Sequence, residues 1–384
     1  MEIPYYEEPP TYEAFLQNHL RPNLPALIGP ALTEEWRARR EWVEKRTEWK
    51  ENEPMMQPRF EFLKAKFGGA EAQVAECDQR EFTDQRRVVM GFTEFVTRWQ
   101  QGDSQLYLKD WHFCNAFPDY DAYQVPEIFA DDWMNEYWQK EGKDDYRFVY
   151  MGGDGTYTPF HADVYRSYSW SSNICGIKKW TLFPPGQEHL FKDKLNNFVY
   201  DIRSVDAEQF PEFDKARRMI VYQRDGETLF VPSGWFHQVE NIGATISINH
   251  NWANACNLDK TCASLLGDLE DVEHSIEDLK DGMDEKEFGE TCQRLLLAHS
   301  GWDVKMFLQL LSCVAQRMAH HHQQQQRQQE EEQQQQFVVA QPPVAWQAER
   351  IGQSLGRVKG LTKDEDDWSP IITQIEAYLE KLPK

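Results

Sequence analysis

The sequence predicts a mainly β fold, an antiparallel barrel or jelly roll with flanking helices and a C-terminal helical region, on three observations. Between residues 146 and 252, short runs rich in Val, Ile, Phe, Tyr and Trp are broken by Gly152-Gly153, Pro184-Pro185-Gly186 and Pro232-Ser233-Gly234, the punctuation of strands joined by tight turns. No helix-length segment separates the last of these runs, which argues against βαβ units. Beyond Trp252 the apolar residues Leu258, Cys262, Leu265, Leu269, Val272, Ile276 and Leu279 recur at steps of four and three, the stripe of an amphipathic helix.

Taken in order, residues 1–105 read as a helical flank integrated with the barrel. Thr11 can cap a helix over Tyr12 to His19, a strand-like run follows at Ala26 to Gly29, and Thr33 can cap a helix from Glu34 to Lys45. A charged loop is expected over residues 46–58, then a helix from Arg59 to Phe67 ended by Gly68-Gly69, and another over Val88 to Gln101 with Phe92, Phe95, Val96 and Trp99 inward. Residues 106–255 form the barrel core: Leu106 to Trp111 reads as a strand, and Asp131 or Asp132 caps a short helix through Trp138. The polar insert 191–217 interrupts the strand pattern and is a candidate lid or substrate-contact loop. Residues 256–318 hold C-terminal helices, one of them capped by Asp284 with Phe288, Cys292 and Leu295 inward. The tract 319–345 is rich in His, Gln and Glu with little to bury, and residues 346–384 read as amphipathic helices, the last beginning near Pro370.

Composition narrows the function. The 384 residues carry 64 acidic and 41 basic side chains, a formal charge of -23, which disfavours nucleic acid and anionic membrane surfaces and suits a basic protein substrate. The seven Cys show no CxxC or zinc-like spacing, which fits a reducing compartment, and Cys175 and Cys262 fall in apolar patterns. The acidic N-terminal stretch has no apolar run of a secretory signal and no Arg-rich presequence character, so cytoplasmic residence is expected, with the nucleus left open. The sequence does not fix the oligomeric state.

The chemistry is concentrated in His161, Asp163 and His237. Residues two apart on a strand share a face, so His161 and Asp163 can both enter a barrel interior, and His237, opening the strand after Pro232-Ser233-Gly234, can supply a third ligand from across it. Two imidazoles and one carboxylate with open positions beside them make the facial triad of non-haem Fe(II) oxygenases, whereas zinc favours closed tetrahedral sites, often with thiolates. Tyr165 and Trp170 are candidates for a substrate-accepting mouth, although an aromatic in a barrel is more commonly core.

The segments Thr158-Pro159-Phe160-His161-Ala162-Asp163, Gly176-Ile177-Lys178-Lys179-Trp180, Phe183-Pro184-Pro185-Gly186 and Gly226 through His237 resemble the JmjC (jumonji C) family of Fe(II)- and 2-oxoglutarate-dependent oxygenases, and the resemblance covers roughly residues 9–313. It implies a double-stranded β-helix, the cupin-like form of the jelly roll, and a reaction in which 2-oxoglutarate and O2 yield succinate and CO2. It implies that Lys178 and Thr158 bind the distal carboxylate of the cosubstrate, with Lys179 on the opposite face of the strand. Asn249 and Asn251 are carried over as supporting residues, and Ser171 or Asn173 as a further hydrogen-bonding position, where relatives place Asn at the site of Ser171. Within the family the likeness is to a protein lysyl hydroxylase acting on a eukaryotic translation termination (release) factor. The alternatives are a histone Nε-methyl-lysine demethylase, disfavoured because no Cys/His zinc module accompanies the barrel, and a non-catalytic interaction module, disfavoured by the complete triad.

Overall fold

The computed structural model describes residues 2–48, 50, 53–142, 145–330, 339–360 and 368–383. Two compact units emerge from the chain: Met1–Pro126 with Asp144–Asp163 and Tyr168–Asn251, and Glu127–Lys143 with Val164–Ser167 and Trp252–Lys384.

The first unit holds the strands: β1 (Tyr5–Tyr6), β2 (Ala26–Ile28), β3 (Val43–Lys45), β4 (Met56–Pro58), β5 (Glu71–Glu81), β6 (Asp84–Gly91), β7 (Leu106–Trp111), β8 (Arg147–Gly152), β9 (Tyr157–His161), β10 (Tyr168–Phe183), β11 (Met219–Gln223), β12 (Thr228–Val231) and β13 (Phe236–Trp252, whose last residue falls in the second unit). It also carries helices α1 (Tyr12–Phe15), α2 (Arg37–Glu41), α3 (Phe60–Phe67), α4 (Phe92–Gln100) and α5 (Phe113–Ala116). Eleven strands share one mostly antiparallel sheet in the order β1-β2-β12-β10-β13-β8-β7-β5-β6, with β11 attached to β10 and β9 to β13. This is the predicted β core.

The two long strands define the barrel by changing partners midway. The stretch Ser169 to Ser172 of β10 pairs with β12 and Lys178 to Leu182 with β11, while β13 pairs first with β9 and then, from Thr245, with β8. The switch in β10 falls near Gly176, whose φ of 84° is left-handed. A Cβ there would meet Thr245 Oγ1 at 2.4 Å and the Ala244 carbonyl oxygen at 2.6 Å, so only glycine allows this close crossing. The kink also resets side-chain alternation: Ser169 and Lys178, nine apart, would face opposite sides of an unbroken strand, yet both line one pocket.

Several local expectations are met. Thr11 caps α1, which continues as a π-helical turn over Leu16–Leu20, and Gly68 ends α3. Others are corrected by long-range pairing. The helix expected over Val88 to Gln101 begins only at Phe92, because β6 is recruited into a hairpin in which Val88 faces Val74 of β5. Thr33 does not cap a long helix: its buried hydroxyl donates to the Gly226 carbonyl at 2.9 Å, the helix shrinks to Arg37–Glu41, and Val43–Lys45 pairs with Met56–Pro58 inside the region expected to loop.

The second unit holds α6 (Trp133–Lys140), α7 (Leu258–Ser275), α8 (Glu285–Ser300), α9 (Val304–Glu330), α10 (Val344–Lys359) and α11 (Ser369–Leu379). Asp132 caps α6 and Asp284 caps α8, each accepting from a backbone N–H three residues on. The α7 stripe buries Leu258, Cys262, Leu265, Leu269 and Val272, but the helix ends at Ser275 and leaves Leu279 exposed in a 3-10 turn. In α8 the buried leucine is Leu296 rather than Leu295. The first part of the Gln-rich tract extends α9 to Glu330; residues 331–338 of that tract lie outside the described residues. Among the described residues no helix is long and apolar enough to cross a membrane.

Candidate active site

Strand pairing brings the two histidines together. His161, at the end of β9, is the cross-strand partner of His237 in β13, and their ring centroids lie 4.3 Å apart. Asp163 follows two residues beyond His161, and one ligand atom from each of the three lies within 4.8 Å of the others. The imidazoles are fixed by backbone carbonyls: Nδ1 of His161 lies 2.7 Å from the Pro159 oxygen and Nδ1 of His237 lies 3.0 Å from the Trp235 oxygen. A carbonyl can only accept, so each Nδ1 is a donor, the tautomer whose Nε2 lone pair is directed away from the backbone and available to a metal. Ser169 donates its hydroxyl to Asp163 Oδ2 at 2.7 Å, orienting the carboxylate. Burial, reinforced by neighbouring His161 and opposed by Asp163, pushes His237 down to about 4, which leaves it in the neutral, ligating form.

The same pocket contains Lys178, 1% exposed. Its Nζ donates to the Tyr107 hydroxyl at 3.1 Å and lies 5.7 and 5.5 Å from the ring centroids of Tyr107 and Tyr150. Among the described residues it forms no ion pair, and burial alone pushes its ammonium down to about 7. Burying a cation without an anion is costly, and an anionic ligand would offset that cost. Its neighbour Lys179 points away and pairs with Glu240 at 2.9 Å, so only one of the two lysines enters the barrel.

The structure brings some of the sequence-derived site residues to the pocket and not others. Thr158, Asn249 and Asn251 line it with the triad and Lys178. Ser171 donates to Asn249 Oδ1 at 3.1 Å, whereas Asn173 is turned toward the kink, its Nδ2 donating to the Gly176 carbonyl at 2.6 Å; of the two, Ser171 is the one tied to the pocket. Trp170 does not line it: the side chain is fully buried and stacks on His250 at 4.2 Å. Tyr165 does not either, and packs 4.1 Å from Trp302 in the helical unit. Left-handed φ angles at Tyr165 and Arg166, 55° and 50°, redirect the chain after Asp163 and break the two-residue alternation that places Asp163 and Tyr165 on one face.

Sequence reasoning missed Tyr107, Ser169, Trp180 and Val239 as pocket residues. Ser169 was accessible, since it stands two before Ser171. Tyr107 carried no signal, because its place depends on β7 pairing with β8.

The residues fit iron and 2-oxoglutarate: two imidazoles and one oriented carboxylate for the metal, with no thiolate lining the pocket, and a buried ammonium that has no ion pair among the described residues for the cosubstrate. Comparison with known proteins agrees. The model of the cupin-like domain family matches residues 12–258. The chain is 46% identical over 323 residues to the arginine-specific demethylase JMJ20 of Arabidopsis thaliana, covering 79% of this chain and 67% of that protein. It is 42% identical over 325 residues to the 2-oxoglutarate and iron-dependent oxygenase JMJD4 of Danio rerio, covering 82% and 74%, and 39% identical over 319 residues to that of Homo sapiens, covering 80% and 74%.

Proposed function

The chain belongs to the cupin-like JmjC family of 2-oxoglutarate- and iron-dependent oxygenases, and from that premise we propose that it is a protein lysyl hydroxylase whose substrate is a translation termination (release) factor. His161, Asp163 and His237 would hold the iron, and Lys178 and Thr158 would receive the distal carboxylate of 2-oxoglutarate. Asn249, oriented by Ser171, and Asn251 support the pocket. Bound iron and cosubstrate supply the oxidation: one oxygen atom of O2 enters the substrate C–H bond as a hydroxyl, and the other leaves in succinate as 2-oxoglutarate loses CO2.

The observation that carries this reading is the presence, in a single pocket, of the metal triad and of a Lys178 ammonium that has no ion pair among the described residues. The formal charge of -23 favours a basic protein as substrate. The test is mass spectrometry of a release factor after incubation with the protein, Fe(II) and 2-oxoglutarate: one added oxygen on a lysine, with matching succinate, is expected. An unmodified release factor would sink the substrate assignment.

A second reading follows from the name of the Arabidopsis relative, which points to N-methyl removal. Hydroxylation of an N-methyl carbon gives a hemiaminal that collapses to formaldehyde. Formaldehyde from methylated arginine or lysine peptides, with no stable oxygen gain on the release factor, would replace the first reading with this one.

A further inference from the structure

The insert 191–217 reads in the sequence as a cover for the site, yet its contacts lie behind the metal strands. Alternation turns His161 and His237 into the pocket and their predecessors Phe160 and Phe236 to the opposite face. There the two phenylalanines, 5.3 Å apart, form one cluster with Phe191, Val199 and Phe213 of the insert and its borders. Strand β9 pairs with β13 along one edge. On its backbone the Phe160 N–H donates to the Tyr200 carbonyl at 2.9 Å, so the insert pairs with the residue just before a metal ligand.

The pairing of β9 with β13 is itself irregular at this point. His237 faces His161 but Val239 faces Thr158, so three steps on β9 match two on β13 and Gln238 stands at the bulge. Gln238 is buried, and its amide is engaged on both sides: Oε1 accepts from the Ile202 N–H at 3.0 Å, and Nε2 donates to Asp201 Oδ1 at 2.8 Å. Asp201 is gripped by Arg203 through contacts of 2.6 to 3.0 Å, and the Arg203 guanidinium lies 3.6 Å from the ring centroid of Tyr157, back on β9. The contacts therefore close a circuit from β13 through the insert to β9, around the place where direct strand pairing slips.

We propose that Tyr200, Asp201, Ile202 and Arg203, with Gln238, form a positioning strap that sets the separation and orientation of His161 and His237 from behind. None of these residues lines the pocket. They act through the two strands, in the way that outer partners of metal ligands tune affinity by about 10- to 100-fold. The inference rests on the metal site and is independent of which protein is oxidised.

The experiment measures Mn(II) and Co(II) affinity of the metal-free full chain, together with the ligand-field absorption of the Co(II) form. Gln238→Leu and Asp201→Ala are expected to weaken binding about tenfold and shift the Co(II) bands. Asp201→Asn, which keeps an oxygen for Gln238, is expected to stay within about threefold of the wild type. Arg203→Ala, altering only the exposed end of the circuit, provides the same reading if a core variant fails to fold. Variants that melt earlier yet keep wild-type affinity and Co(II) bands would overturn the strap and leave the insert as simple packing. His161→Ala is the control: if it also bound metal like the wild type, the metal-site assignment would fall, a result distinct from failure of the strap.

Discussion

The sheet unit and the helical unit each enclose a cavity, and the linings are opposites. In the helical unit the walls are apolar and aromatic, with Trp133, Met134, Tyr165, Trp302, Phe307 and Leu310 among them and no charged group. In the sheet unit they include two histidines, an aspartate, a lysine, two asparagines and a threonine. Burying such groups opposes folding unless partners or ligands compensate, so their concentration in one cavity marks where the fold accepts lower stability for function. Small apolar voids arise from imperfect packing; a buried ammonium without an anion does not.

Substitutions should divide the two cavities by what they change. The largest effect is expected for His161→Ala, with loss of metal binding and a fall in 2-oxoglutarate turnover of about three orders of magnitude or more, read as succinate formation. Next is Lys178→Met, for which the KM for 2-oxoglutarate should rise about 100-fold, the scale for removing one partner of a buried charge pair, while metal affinity is retained. A comparable rise on Lys179→Met instead would show that the wrong lysine has been placed in the pocket.

A pH dependence sharpens the contrast. Lys178 is held near 7 by burial, against an ordinary value of 10.5. Between those values the unfolded chain binds more protons than the folded one, so this group makes the ligand-free protein more stable as pH rises through that window. Its full penalty is present below about 7. Thermal melting of the metal-free protein should show this slope, and Lys178→Met should flatten it. Cosubstrate affinity should run the other way, falling above about pH 7 by up to roughly one decade per unit, because the dianion requires the protonated amine. The smallest effect belongs to the helical cavity. Thr261 lines it with a buried hydroxyl that has no partner among the described residues, so Thr261→Val should stabilise by about 1 kcal/mol in denaturant unfolding and leave turnover unchanged.

The parts of the site that were legible in advance rest on short-range rules. His161 and Asp163 follow from two-residue alternation at the end of one strand, and the caps at Thr11 and Asp284 from side chains that reach a backbone N–H three residues on. The misreadings come where a distant segment overrides the local pattern. Val88 and Val89 suit a helix until β5 offers them a ladder, and Thr33 suits a cap until the Gly226 carbonyl takes its hydroxyl. Trp170 was a plausible wall for the mouth; tertiary packing instead stacks it on His250.

The sequence by itself determined the ligand chemistry: two imidazoles and an acid spaced to share a barrel interior, a lysine in a strand motif, and an acidic exterior. Those depend on residue type and on periods of two or four, which are local. Only the tertiary structure decided that Tyr107 holds Lys178 and that the insert lies behind the histidines. Each of these depends on strand register, on a left-handed backbone at Gly176 or Tyr165, or on pairing between segments far apart in the chain. A one-residue slip reverses the face of a side chain, and short-range pattern cannot detect it.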